Sequence, residues 1–242
     1  MTGESGAMSG GDGPMDDRME GGTQGGRKTR GLLVFDLDGT LFRGDEVTVS
    51  AVWETADRLG LPRPSAEKIC SFFGRPVSEF HEWLRGLAQT DEETMSEAFD
   101  FLEEKEIGYV PEKGRLYDGV PGVLRELKEE RFHIALCSNG RRRYVYAVLE
   151  GMGILSYFDP VRYRRDEDGG KEEMVGDVAR AVPVRPAIVI GDRHDDVGAA
   201  KANGFRSIAA AYGFGSEEEI EGADAIVRSA EEIPAEVRRL VG

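Results

Sequence analysis

Three short apolar runs, each ending abruptly in a polar residue, constrain this chain most. Leu32-Leu33-Val34-Phe35 stops at Asp36, Ile134-Ala135-Leu136-Cys137 stops at Ser138, and Ala187-Ile188-Val189-Ile190 stops at Gly191-Asp192. An uninterrupted apolar run bounded by polar residues suits a strand buried on both faces, the habit of parallel sheets. Shorter runs follow at 207–211 and 225–227, and helical spacing lies between the runs at 123–130, 142–152, 172–181 and 197–203. Strands alternating with helices predict an α/β fold, a Rossmann-like parallel sheet core with helices on both faces. Ligands of such sheets bind beyond the carboxyl ends of the strands, where these polar residues stand.

From about 47 to 112 the pattern changes. Val49, Val52, Trp53, Ala56 and Leu59, then Phe80, Trp83, Leu84 and Leu87, then Met95, Ala98, Phe99 and Leu102 follow helical spacing, and no strand is predicted. Helices inserted after the first strand predict an α-helical cap over 45–112, on a core made of 31–44 and 113–242. Gly44-Asp45 and residues 111–114 are the expected hinges. Residues 1–30 hold nine glycines, and Met1, Ala7, Met8, Met15 and Met19 are their only apolar side chains. Such a segment cannot bury enough surface to offset its ordering entropy, so a disordered leader is expected. Its Gly21 and Gly26, followed by Arg27-Lys28-Thr29, miss the phosphate-binding loop, which needs Gly-Lys-Ser/Thr between a strand and a helix.

Charge narrows the partners. Lys plus Arg is 31 against 46 for Asp plus Glu, a formal net charge of -15. That balance argues against nucleic acid and, more weakly, against anionic membranes, while a local pocket can still take an anionic small substrate. No stretch approaches the about 20 apolar residues of a membrane span, and no signal-peptide core opens the chain. Cys70 and Cys137 form neither a disulfide framework nor a zinc site, and His81, His133 and His194 make no H-x-x-x-H pair. A reducing, cytoplasmic location is the expectation, and the oligomeric state is not legible.

The polar residues past the runs carry the chemistry. Asp36-Leu37-Asp38-Gly39-Thr40 places two carboxylates two residues apart, with a glycine to let the chain turn. A calcium loop opening at Asp36 would need glycine at 41 and glutamate at 47, where Leu41 and Val47 stand. Ser138-Asn139-Gly140 offers a hydroxyl, an amide and backbone N–H groups before a helix, either an anion site or an ordinary helix cap. Gly191-Asp192-Arg193-His194-Asp195-Asp196 crowds three acids, either a place for a hard divalent cation or a charged surface turn. Lys171 opens a predicted helix and taken alone reads as solvated.

Together, in this order and strand context, these pieces resemble the four sequence motifs of the haloacid dehalogenase-like hydrolases. Asp36-x-Asp38-Gly39-Thr40 matches the nucleophile motif, Ser138-Asn139-Gly140 the phosphate-binding motif, Lys171 the lysine motif, and Gly191-Asp192 with Asp196 the metal motif. Tyr212-Gly213-Phe214-Gly215-Ser216-Glu217-Glu218 resembles the phosphoglycolate phosphatase-like branch with a helical cap. The resemblance implies a Mg2+-dependent phosphatase of small phosphorylated metabolites that works through an aspartyl-phosphate. Asp36 would be the nucleophile and Asp38 the general acid and base. The metal would be held by Asp36, the Asp38 carbonyl and Asp192, with Asp196 orienting that shell or ligating through water. Gly39, Thr40, Ser138, Asn139 and Lys171 would hold the phosphoryl group.

Two features depart from the family pattern. Phe42-Arg43-Gly44-Asp45 replaces the Asp-Ser many relatives carry after the first motif. Asp195 competes with Asp196 for the second acidic role, and spacing from Asp192 favours Asp196. In the cap, Phe72-Phe73-Gly74-Arg75-Pro76 resembles a specificity loop. Gly74 and Arg75 are its candidate substrate contacts; Arg75 either meets a second substrate anion or faces solvent, and Phe72 and Phe73 are expected in the core. A phosphomutase or nucleotidase of the same family, or a catalytically weak binder on this scaffold, are the alternatives.

Overall fold

The computed structural model describes residues 28–242, so the leader expected over 1–30 lies almost wholly outside the described residues. The elements, in order, are β1 (Leu32–Phe35), β2 (Phe42–Arg43), α1 (Asp45–Arg58), α2 (Ala66–Cys70), α3 (Val77–Ala88), α4 (Glu92–Lys113), β3 (Arg115–Leu116) and α5 (Val120–Glu129). There follow β4 (His133–Ser138), α6 (Arg142–Gly151), β5 (Val161–Tyr163), α7 (Lys171–Ala181), β6 (Ala187–Gly191), α8 (His194–Ala202), β7 (Arg206–Ala210), α9 (Glu217–Ile220), β8 (Ala225–Val227) and α10 (Ile233–Val241). No helix among them is long and apolar enough to cross a membrane.

Six strands form one parallel sheet in the order β5-β4-β1-β6-β7-β8. β1 is central, and its four residues are wholly buried because successive side chains enter different cores. Leu33 and Phe35 join Ile134, Leu136, Ile188 and Ile190 beneath α5, α6 and α10. Leu32 and Val34 join Ala135, Val189, Met174, Val175 and Ala200 beneath α7 and α8. Helices on both faces bear out the expected architecture. Cys137, in the apolar run that forms β4, is 1% exposed in the second of these cores.

The insertion is helical throughout. α1 to α4 enclose their own core of Val49, Val52, Ile69, Phe80, Leu84, Met95 and Leu102. One expectation needs correction. Residues 111–114 are not a loose hinge, because α4 continues through Pro111 to Lys113. A proline this close to a helix end removes a single backbone bond. Val110 is buried, and the Lys113 ammonium donates to Ser50 Oγ at 2.7 Å, so the last turn is held from both sides. The two chain crossings are instead β2 and β3, which pair antiparallel, Phe42 opposite Leu116 and Arg43 opposite Arg115. Gly44 and Gly114 bracket this pair; a Cβ on Gly114 would lie 2.8 Å from the Phe42 ring.

Candidate active site

β1, β4 and β6 end together, and their terminal polar residues converge. The Asp36 N–H still donates to the Ile190 carbonyl at 2.8 Å, extending the ladder one residue past the strand and fixing the carboxylate at the sheet edge. The chain then doubles back, with Leu41 and Phe42 both donating to the Leu37 carbonyl at 2.9 Å. Gly39 sits at φ +83°, and a Cβ there would lie 2.2 Å from Asp192 Oδ2. Both its dihedral angle and its clearance therefore demand glycine.

Lys171, at the first turn of α7, is 2% exposed. Its ammonium lies 2.7 Å from Asp36 Oδ1 and 2.6 Å from Asp196 Oδ1. Asp196 uses its other oxygen to accept the Arg193 N–H at 3.1 Å. Asp192 is held by the Phe214 and Gly215 N–H groups, which donate to its Oδ2 at 2.7 and 3.3 Å. Gly213 and Gly215 press close enough that a Cβ would lie 2.4 Å and 1.9 Å from Asp192 atoms.

This arrangement fits a cation. Asp36, Asp192 and Asp196 bring oxygens within 4.8 Å of one another in a buried setting. Asp36 Oδ2 and Asp192 Oδ1 are buried without a hydrogen-bond partner. Orphaned buried carboxylate oxygens are costly, and a hard divalent ion is the partner such a donor set accepts. Burial raises all three carboxyls above the usual carboxylate range, reinforced at Asp36 by Asp192 and at Asp192 by Asp196. Burial opposes the charge of Lys171, but Asp196 and Asp36 outweigh it and hold the ammonium protonated.

Asp38 stands across from this cluster. Burial raises its carboxyl to about 6, against a hydrogen bond from the Tyr144 hydroxyl to its Oδ1 at 2.6 Å. Tyr144 is a partner the sequence did not disclose: it lies on the buried face of α6, where an aromatic side chain at helical spacing reads as core.

The remaining predicted residues take more specific places. Ser138 is buried, and its Oγ accepts the Gly140 N–H at 3.0 Å, leaving the hydroxyl proton to give. Asn139 is committed elsewhere. Its Nδ2 donates to the Gly74 carbonyl at 2.7 Å and to Asp195 Oδ2 at 2.9 Å, and its Oδ1 accepts from Arg164 Nε at 3.0 Å. Its side chain therefore ties the helical block to the sheet edge, and only its main chain is left for an anion. The Gly39 N–H is likewise engaged, donating to the Phe42 carbonyl at 3.0 Å, so Gly39 supplies clearance rather than a phosphate donor. Thr40 is wholly buried, with Oγ1 lacking a hydrogen-bond partner. Of the competing acids, Asp196 joins the carboxylate cluster while Asp195 pairs with Asn139.

A cavity of about 140 Å³ opens over Asp36 and Asp38, between the sheet edge and the helical block. Gly74 and Arg75 line it, as do both phenylalanines expected in the core. Phe73 stacks on Phe214 with centroids 4.4 Å apart, and Phe72 packs against Phe80 and Trp83. They are thus core and wall at once. Gly74, at φ +74°, leaves room for Arg193, whose Cγ would stand 2.6 Å from a Cβ there. The Arg75 side chain is 43% exposed, with its guanidinium 3.5 Å from Glu79.

A family model described as haloacid dehalogenase-like hydrolase matches residues 33–210. Among curated relatives, the tyrosine-protein kinase PtkA of Mycobacterium tuberculosis is 27% identical over 192 residues. That match takes in 76% of this chain but only 63% of the kinase, under two thirds of its length. The phosphoglycolate phosphatase of Vibrio parahaemolyticus is 28% identical over 204 residues, 78% of this chain and 87% of that protein. The solved structure of a predicted phosphatase from Clostridium acetobutylicum superposes with a TM-score of 0.76 at 28% identity, covering 88% of this chain and 100% of the other.

Proposed function

The chain belongs to the haloacid dehalogenase-like hydrolases, and on that premise we propose that it is a Mg2+-dependent phosphatase of small phosphorylated metabolites, acting through an aspartyl-phosphate on Asp36. The observation that carries this reading is the buried Asp36–Lys171–Asp196 chain beside Asp192, with Asp38 across the same cavity. Similarity to phosphoglycolate phosphatases supports the substrate class. We place the protein in the cytoplasm, with Cys70 and Cys137 as free thiols. The partner is a small phosphorylated molecule rather than nucleic acid or a membrane.

Asp36 Oδ2 and Asp192 Oδ1, both buried without a hydrogen-bond partner, would hold Mg2+ with the Asp38 carbonyl. Asp196, both of whose oxygens are engaged, would act through water and by fixing Lys171. When bound, the ion supplies positive charge that offsets repulsion between a phosphate dianion and the carboxylate nucleophile. Lys171 and the Ser138 hydroxyl add donors to the phosphoryl oxygens. Asp36 attacks phosphorus as the bond to the leaving oxygen breaks. Asp38 gives that oxygen its proton, and its raised affinity for a proton suits the task. Water then attacks phosphorus, the bond to Asp36 breaks, and Asp38 takes back a proton. The helical block caps the site, and Asn139 and Gly74 hold it closed during these steps.

Turnover of p-nitrophenyl phosphate that depends on Mg2+ tests this reading directly. Asp192→Ala is expected to raise the Mg2+ concentration for half-maximal activity by about tenfold or more. Unchanged metal dependence in that variant would remove Asp192 from the metal shell.

A further inference from the structure

One wall of the cavity is formed by none of the motif residues. Glu106 of α4 faces it, half-buried, with Thr48 of α1 beside it. The Thr48 hydroxyl donates to Glu106 Oε1 at 2.7 Å, which fixes the carboxyl in place. Among the described residues Glu106 Oε2 receives no hydrogen bond, and no lysine or arginine pairs with Glu106. Around it the lining is apolar and aromatic: Phe72, Phe80, Phe99 and Leu102. His81 stacks on Phe99 at 3.7 Å, and burial holds its imidazole neutral, lowered to about 4. The acids near Glu106 are Asp38, Asp100 and Glu103, all in the lining, with Glu103 paired to the exposed Arg143 at 2.7 Å. The arginines of the lining, Arg75 and Arg141, are 43% and 48% exposed and already face Glu79 and Asp166.

A leaving group entering this cavity therefore meets a fixed acceptor oxygen on an apolar, aromatic surface, and no buried cation. We propose that Glu106 and Thr48 form a leaving-group subsite that selects a neutral, hydroxyl-bearing alcohol with an apolar or aromatic body and disfavours one bearing a carboxylate. A hydroxyl can donate to the free Glu106 oxygen, whereas a carboxylate would face a like charge on a largely apolar wall. This inference rests on the phosphatase reading above and sharpens its substrate class away from phosphoglycolate.

The test compares matched substrates on the full chain with Mg2+ at about pH 8, above the value of about 7 to which burial raises the Glu106 carboxyl. The probes are 3-(hydroxymethyl)benzyl phosphate, 3-carboxybenzyl phosphate and 2-phosphoglycolate, with p-nitrophenyl phosphate as the reference. The hydroxymethyl compound should exceed both carboxylates in kcat/KM by about tenfold or more. In Glu106→Gln the gap between the two benzyl compounds should shrink by about tenfold, chiefly through a gain on the carboxylate. Equal use of the two benzyl compounds by the parent, or a preference for the carboxylate, would overturn the proposal and hand the leaving group to Arg75 and Arg141. A gap that survives Glu106→Gln unchanged would overturn it too. Hydrolysis of none of the four would sink the phosphatase reading itself; p-nitrophenyl phosphate turnover with a carboxylate preference would sink only this inference.

Discussion

Asp36→Asn is expected to lower turnover of p-nitrophenyl phosphate by about 10⁴-fold or more, with the melting temperature close to that of the parent. The amide is nearly the shape of the carboxylate but has no charged oxygen to attack phosphorus. The fold should tolerate it for an electrostatic reason. Asp36 is buried beside Asp192 and close to Asp196, so its charge is repelled as well as held by Lys171. Removing that charge relieves the repulsion, and Lys171 keeps Asp196 as its partner. Rapid-quench labelling should show no phosphoenzyme in the variant. Near-parent activity at parent stability would rule out Asp36 as the nucleophile.

Lys171→Met should damage the fold more than any carboxylate substitution in the site. The ammonium is the cation common to Asp36 and Asp196, and all three groups are almost fully buried. Removing one partner from a buried ionic cluster leaves charges with neither water nor a counterion, at a cost of about 3–5 kcal/mol. Domains are commonly stable by only about 5–15 kcal/mol, so the loss would be plain in a urea melt. Added Mg2+ should return part of it, since a bound cation again faces the acids. An unfolding midpoint equal to the parent's would mean that the ammonium does not hold the cluster together.

The candidate site is legible in the sequence because its signals are local. Each strand announces itself by an apolar run and each functional residue follows within a few positions. Lys171 is the instructive exception: its neighbours describe a solvated helix start, and only the motif order marks it. Strand β5 carries no apolar run because Arg162 interrupts it, and the guanidinium is made tolerable by Asp168 and Asp177, which lie beyond the strand. β2 and β3 are two residues each, too short to carry a period. Tyr144, Glu106 and the Asn139–Gly74 bond depend on contacts between distant stretches of chain. Pro111 does not end α4, because a proline this near a helix terminus removes little.

The seam between the helical block and the sheet has a thermodynamic consequence. Three of the contacts there are made by residues joined to the candidate site. Asn139, which holds the Gly74 carbonyl, follows Ser138 in the chain. Arg193, packed under Gly74, follows Asp192 and gives its N–H to Asp196. Phe214, stacked on Phe73, gives its N–H to Asp192. If the site takes Mg2+ as proposed above, closure of the helical block and cation affinity are linked functions. A phosphate analogue that tightens the cation by some factor must itself be tightened by the cation by that same factor. Titrating one ligand at several fixed concentrations of the other would read that shared factor, and weakening the Phe73–Phe214 stack should diminish it from both directions alike.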